Sequence, residues 1–178
     1  MIRRYSRPEM ARLWSDENRF AAWLRVELAI TEVLAEQGVV PREALAAIAA
    51  KARFDVARIE EIEKEVQHDV IAFVSNVAEN VGPEGRWLHY GLTSSDVVDT
   101  ALSLLTRDAL DLVRDGLDGL AAAVRDRALE HKHPPMIGRT HGVHAEPMTF
   151  GLKLALWYAE LRRPRRRVYR ARAVIEVG

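Results

Sequence analysis

Histidine is the residue type in this sequence best suited to proton transfer, because its ring gains and loses protons near neutral pH. His141 lies in the stretch GRTHGVHAEP at 138–147, beside Arg139 and Thr140 and between two long helical patterns. Glycines and a proline interrupt regular structure there, so we expect a loop. A loop this rich in proton-transfer and hydrogen-bonding groups is typical of a site that protonates part of an anionic substrate.

A second polar break, HYGLTSSDVVDT at 89–100, precedes a long helical pattern. Thr93, Ser94 and Ser95 follow a glycine and are all residue types that cap helix N-termini. Free backbone N–H groups and hydroxyls at a helix start bind carboxylate or phosphate. A plain N-cap explains one of these residues but not three in a row, so both a cap and an anion site remain open.

His68 is the third candidate, and helical periodicity bears on it. Asp55 is expected to cap a helix that runs to about Asn80. At ~100° per residue, the apolar side chains of this helix form one stripe about 60° wide, and His68 points away from it. The imidazole therefore faces either solvent or a cleft that other residues complete. The residues of the stripe are Ile59, Ile62, Val66, Val70, Phe73 and Val77.

The spacing of the histidines also allows a metal site. Four of the six histidines fall within 131–144, and His-x-His and His-x-x-His spacings can supply zinc ligands. His131 and His133 sit at a helix end, however, and the chain has no cysteine. We therefore expect no metal, and a histidine-rich metal-binding bundle stays an alternative.

The elements that must position these residues are predicted to be all-α. Helical patterns cover about 16–37, 41–53, 55–80, 96–132 and 148 onward, residues 1–10 are expected to be polar and extended, and Pro164 is expected to interrupt the last helix. No strand is predicted. A helix of about 55 Å is too long for a small compact domain and indicates a helical bundle. We expect a small N-terminal helical domain at 1–92 and the beginning of a central bundle domain at 93–178.

Composition excludes several classes of protein. The 26 basic and 26 acidic residues balance, so no global field attracts nucleic acid or an anionic membrane. The absence of cysteine fits a reducing cytoplasm. No run approaches about 18 consecutive apolar residues, and the start MIRRYSRPEM has no apolar leader core, so we expect a cytoplasmic protein without a membrane span. An arginine-rich run at 162–172 is expected to be a solvated helix face or a subunit contact.

Several motifs together resemble the N-terminal part of the adenylosuccinate lyase family, in the fumarase/aspartase superfamily. The matching stretches are RYSRPEM at 4–10, DENRFAAWL at 16–24, EIEKEVQHDVIAF at 61–73, HYGLTSSDVVDTAL at 89–102 and GRTHGVHAEPMTFGLKLALW at 138–157. The resemblance implies a cofactor-free β-elimination that releases fumarate from adenylosuccinate, leaving AMP. It implies the same elimination from the succinyl-carboxamide ribonucleotide of purine synthesis.

The resemblance also implies roles for individual residues. His141 would be the general acid, and His68 would hold substrate and assist that proton transfer. Thr93 and Ser94 would bind the succinyl carboxylate, in agreement with the anion-site reading. The further implied substrate contacts are Arg4 and Tyr5 at the nucleotide phosphate, Gln67 and Asp69 beside His68, and His89. At Gln67, relatives often carry a basic residue.

The resemblance implies a homotetramer whose active sites each take segments from three subunits. Such a shared site would complete the cleft that an outward-facing His68 requires. It places the catalytic base in a later serine-rich loop of the GSSxMPxKxN type, which the 178 residues do not contain. We therefore expect the chain to be an N-terminal portion that lacks lyase activity alone. A non-catalytic helical assembly module is the remaining alternative.

Overall fold

The computed structural model describes residues 2–176, and helices dominate it. The all-α class is confirmed, with one small antiparallel sheet as a departure. The elements in chain order are α1 (Pro8–Leu13), α2 (Asp16–Glu36), α3 (Arg42–Lys51), α4 (Val56–Val66), α5 (Asp69–Val81), α6 (Ser94–Glu130), β1 (Pro135–Thr140), β2 (Val143–Thr149) and α7 (Phe150–Ile175). Short 3-10 helices cover Arg3–Tyr5 and Pro83–Trp87.

The chain divides into two compact units, one ending at Thr106 and the other beginning at Arg107. The division falls within α6, whose first turns belong to the first unit. The domain boundary expected between residues 92 and 93 stays a prediction. Along the described residues 2–176, no helix is both long and apolar enough to cross a membrane.

The first unit is built around an aromatic cluster. Phe20 and Trp23 of α2 pack against Phe73 of α5, with Phe20 and Phe73 stacked at 5.6 Å between ring centroids and Trp23 edge-on to both. Aliphatic side chains of α3, α4, α5 and α6 complete this core, which removes a large apolar area from water. The aliphatic members include Ile48, Ile59, Ile62, Val70, Val77 and Val97.

Two predicted elements of the first unit were wrong. Residues 3–10 are not extended as expected for 1–10, of which residue 1 lies outside the described part: a 3-10 turn precedes α1, and Pro8 stands at the first turn of α1, where a missing N–H costs nothing. The helix expected at 55–80 is two helices, because Gln67 adopts a left-handed conformation that ends α4. Asp55 does cap α4, accepting a hydrogen bond from the N–H of Arg58 at 2.9 Å.

The second unit contains the β1–β2 hairpin and the helix that follows it. Thr149 caps α7 by accepting a hydrogen bond from the N–H of Leu152. Gly151 lets α7 begin against the end of α6, where its N–H donates to the carbonyl of His131 at 2.8 Å. A Cβ at this position would lie 2.5 Å from the carbonyl oxygen of Ala128, so only glycine fits.

The helix α7 continues through Pro164 to Ile175, so the proline does not end it, and the kink expected there stays a prediction. Ion pairs from the turns after the proline to α6 hold that part of the helix in place. Arg165 pairs with Asp118, and Arg172 binds Asp111 through Nε at 2.6 Å. The arginine-rich run is therefore partly a helix–helix contact inside the unit.

Candidate active site

The break between α4 and α5 positions His68. Gln67 has φ 53° and ψ 38°, and His68 returns to an extended conformation as the N-cap of α5. The Nδ1 atom of His68 accepts a hydrogen bond from the N–H of Ile71 at 3.4 Å. The periodicity argument for its direction was wrong, since no single helix spans these residues. The His68 side chain is nevertheless 45% exposed, as expected for a ring that faces solvent or a cleft.

The same break brings His68 to the start of α6. Its Nε2 atom lies 3.4 Å from the Oγ of Ser94, and Asp69 lies 3.5 Å from Nδ1 on the other side of the ring. Because Nδ1 accepts a backbone N–H, the neutral ring carries its proton on Nε2. His68 therefore presents an N–H toward Ser94 and toward any ligand bound beside that hydroxyl.

Thr93 precedes α6, and its donors are already engaged. The carboxylate of Asp96 accepts from the backbone N–H of Thr93 at 2.7 Å and from its hydroxyl at 3.0 Å. These two hydrogen bonds hold the pKa of Asp96 below its usual range. The helix start is thus a capping box, in which the carboxylate of Asp96 occupies both donors of Thr93. The anion site expected at Thr93 and Ser94 stays a prediction.

His89 stands between the 3-10 helix Pro83–Trp87 and α6, with φ 60°. Its backbone N–H donates to Glu27 at 2.9 Å, and its Nδ1 lies 2.6 Å from the other oxygen of that carboxylate. Sequence reasoning missed Glu27. Helical periodicity could have identified Glu27 as buried, because it shares one face of α2 with the buried residues Phe20, Trp23 and Thr31.

His141 occupies the tip of a hairpin, so the loop expected at 138–147 is wrong. Thr140 pairs with Val143 across β1 and β2, which leaves His141 and Gly142 as a two-residue turn with φ 51° and 74°. Positive φ at both positions is the type I′ pattern that joins twisted strands, where Asn-Gly is the usual sequence. The pairing is irregular at Gly138, whose missing side chain lets the backbone of Glu146 approach.

Arg4 and Tyr5 form an exposed pair in the first 3-10 turn. The guanidinium of Arg4 lies over the Tyr5 ring at 4.9 Å from its centroid and donates to the phenol oxygen at 3.0 Å. Both side chains are exposed. Their contact with a phosphate stays a prediction.

Of the predicted site residues, the first unit holds all but one, and it brings His68 against Asp69 and Ser94. His141 belongs to the unit that begins at Arg107. Throughout the described part of the chain, no three His, Cys, Asp or Glu side chains converge as metal ligands would.

Comparison with known proteins identifies the family. The family model described as lyase matches residues 3–178. The chain belongs to the lyase family. Over all 178 residues this lyase-family chain is 54% identical to the adenylosuccinate lyase of Bacillus subtilis (strain 168) and covers 41% of that protein. It is 53% identical over the same span to the adenylosuccinate lyase of Streptococcus mutans serotype c, again covering 41%.

Solved structures of the same fold support the assignment. The fumarate lyase from Mesorhizobium sp. BNC1 superimposes with a TM-score of 0.85 at 30% identity, over 90% of this lyase-family chain and 39% of the other. The 3-carboxy-cis,cis-muconate lactonizing enzyme from Pseudomonas putida superimposes with a TM-score of 0.86 at 35% identity, over 93% and 40%. The chain thus spans about two fifths of the length of its relatives, 41% of the Bacillus subtilis protein.

Proposed function

We propose that this chain forms the N-terminal part of an adenylosuccinate lyase, which eliminates fumarate from adenylosuccinate to give AMP. One observation carries the proposal beyond the family. Among the described residues, the non-glycine positions with positive φ are Gln67, His89 and His141, and the family resemblance implies a role in the site for all three. Such conformations persist where the surrounding structure enforces them and concentrate at functional sites. The 54% identity to an adenylosuccinate lyase supports the choice of substrate.

In the proposed reaction a base from outside these 178 residues removes a proton from the carbon next to a succinyl carboxylate. The electron pair forms the double bond of fumarate as the carbon–nitrogen bond breaks. His141 donates a proton to the departing nitrogen, and His68 holds the substrate and assists this transfer. The succinyl-carboxamide ribonucleotide undergoes the same elimination, since it carries the same succinyl group on a nitrogen, here that of a carboxamide.

The start of α6 is the proposed carboxylate site. Thr93 donates two hydrogen bonds to Asp96 in the free protein, and the Ser94 hydroxyl stands 3.4 Å from the His68 ring. A succinyl carboxylate that takes the place of the Asp96 side chain meets the same two donors. It gains Ser94 and the N–H of His68 as further partners, which stabilise the charge that accumulates during proton removal.

The remaining contacts belong to the same proposal. Arg4 and Tyr5 offer a cation and a hydroxyl to the nucleotide phosphate, and Gln67, Asp69 and His89 line the substrate. The proposed assembly is a homotetramer in which three subunits complete each active site, located in the cytoplasm. Exposed apolar side chains along α7, among them Leu152, Leu156 and Trp157, supply surface for such contacts.

The test is a chimera in which residues 1–178 replace the matching segment of the Bacillus subtilis adenylosuccinate lyase. His141→Asn is the decisive variant, because asparagine suits the left-handed turn position but cannot protonate a leaving group. We expect kcat, measured by ultraviolet detection of fumarate, to fall about 10²- to 10⁴-fold with the circular dichroism spectrum unchanged.

The control is His144→Asn, in the strand next to the same turn, which should change kcat less than about threefold. Ser94→Ala should lower kcat/KM by about tenfold or more, since it removes one hydrogen bond to a charged group that gains charge during proton removal. If His141→Asn keeps the parental kcat, the general-acid assignment is wrong. If the unmodified chimera folds but releases no fumarate, the proposed function is wrong.

A further inference from the structure

Glu27 is a carboxylate inside the hydrophobic core of the first unit. It is 1% exposed and lies on the face of α2 that carries Phe20, Trp23 and Val26. A buried carboxylate destabilises a fold unless hydrogen bonds satisfy its oxygens. An apolar residue would fill this position more simply, so the presence of glutamate requires an explanation.

Both oxygens of Glu27 bind the same residue, 62 positions along the chain. One accepts the backbone N–H of His89 at 2.9 Å, and the other lies 2.6 Å from Nδ1 of the same histidine. Hydrogen bonds to a charged acceptor are stronger than neutral ones. The carboxylate thus clamps main chain and ring together, which holds His89 in its left-handed conformation with φ 60°.

The clamp also selects the chemical form of the ring. A carboxylate only accepts hydrogen bonds, so Nδ1 of His89 donates, and Nε2 is the nitrogen that remains for other partners. Within residues 2–176 no hydrogen bond to Nε2 is found. The His89 side chain is 14% exposed, so part of it remains accessible.

His89 lies next to the proposed carboxylate site. Its carbonyl accepts the N–H of Leu92, one residue before Thr93. A ring fixed here lies beside the group that occupies the carboxylate site.

We propose that Glu27 is a positioning residue, which holds His89 so that the unprotonated Nε2 accepts a hydrogen bond from a donor group of the substrate, such as a nucleotide hydroxyl. The inference rests on the proposed function, in which His89 is a substrate contact. Glu27 itself touches no substrate. Its effect passes entirely through His89, and that dependence distinguishes it from a residue needed only for folding.

The first experiment is a double-mutant cycle in the chimera. Glu27→Gln should raise KM about 10- to 100-fold, the range expected when a substrate donor loses its acceptor and faces an N–H instead, while kcat changes little. In the His89→Ala background the same substitution should change KM less than about twofold, because the group through which Glu27 acts is gone. Equal effects in both backgrounds, or no effect in either, would overturn the proposal.

Two further variants guard against a general loss of packing. Glu27→Asp keeps both acceptor oxygens and should recover part of the loss seen with glutamine. Thr31→Val removes another buried polar group one turn further along α2, a hydroxyl that bonds the carbonyl of Glu27 at 2.7 Å. It should lower the melting temperature and leave KM within about twofold. A rise in KM equal to that of Glu27→Gln would assign the effect to packing and overturn the proposal.

The second experiment does not depend on lyase activity. In the 178-residue chain with nitrogen-15-labelled histidine, nuclear magnetic resonance reports which ring nitrogen of His89 carries the proton. Glutamine at position 27 can place its NH2 toward Nδ1, so Glu27→Gln should move the proton to Nε2. An unchanged tautomer overturns the clamp. Were the unmodified chimera inactive, this measurement would still decide whether Glu27 sets the state of His89.

Discussion

At the level of single residues, two glutamines show how much backbone conformation matters in this chain. Gln67 ends α4 with φ 53°, whereas Gln37 ends α2 with φ −77°. Both are exposed, and both donate their N–H to the carbonyl four residues earlier, at 2.8 Å and 3.0 Å respectively. They differ in the sign of φ, and only the positive value penalises a side chain.

Replacing each of these glutamines by glycine should therefore change the stability of the chain in opposite directions. Gln67→Gly should raise the free energy of unfolding by up to about 1 kcal/mol, because glycine removes a left-handed penalty of about 1–2 kcal/mol and loses part of that gain through chain entropy. Gln37→Gly should lower it by about 0.5–1 kcal/mol through entropy alone. Urea unfolding of the 178-residue chain measures both. Destabilisation of similar size at both positions would show that Gln67 is not strained.

The residue types of the candidate site could be read from the sequence, but their partners could not. His68, His89 and His141 attract attention because histidine transfers protons at neutral pH. The Glu27 clamp required knowledge of which helix face is buried and what lies 62 residues away. The Asp96 carboxylate at Thr93 was within reach, since an acidic residue three positions after a threonine is a known reciprocal capping pattern.

At the level of elements, the start of α6 carries its own pH dependence. The hydrogen bonds from Thr93 lower the pKa of Asp96 in the folded chain. Ionised Asp96 therefore stabilises the fold above the unfolded pKa, about 3.9, and this contribution is lost as the pH falls through the lower folded value. Asp96→Asn should thus lower the melting temperature at pH 7, by an amount that decreases as the pH falls below about 3.9.

The control for this prediction is Asp99→Asn, one turn further along the same helix. Asp99 is exposed, and in the described structure it makes no hydrogen bond to Thr93. We expect its substitution to shift the melting temperature less than that of Asp96 at pH 7. The difference in melting temperature between the wild type and Asp96→Asn should become smaller as the solution is acidified. A difference that stays constant would contradict the link between the pKa of Asp96 and stability.

The extent of the long helices followed from the sequence, while their interruptions did not. The pattern after residue 96 predicted a helix of about 37 residues, and α6 has 37. The break at Gln67 has no glycine or proline to announce it, so only packing of α4 and α5 in the core fixes it there. The hairpin was not predicted, because its turn has the sequence His141-Gly142 in place of the Asn-Gly that is typical of such turns. Pro164 is accommodated because contacts with α6 outweigh the local preference.

At the level of the whole molecule, family and fold class could be inferred together because several separate motifs had to fit one architecture. Assembly could not be inferred in the same way. The apolar side chains exposed along α7 are consistent with a helix that meets partners, but periodicity does not identify those partners. The predicted site residues are divided in the chain as well, since His68 and His89 belong to the first unit and His141 to the second.

This division of the site leads to a prediction about the chain by itself. The 178 residues supply the proposed acid, His141, and the carboxylate site at Thr93 and Ser94, but not the serine-rich loop to which the base is assigned. Without proton removal the carbon–nitrogen bond does not break, so a homogeneous preparation of the chain should release no fumarate above background. The chimera should restore turnover, and His141→Asn in the chimera should abolish it again, which would assign the activity to a site built from both parts. Fumarate release by the 178-residue chain, with its mass verified, would show that these residues hold a base of their own and that the proposed division of labour is wrong.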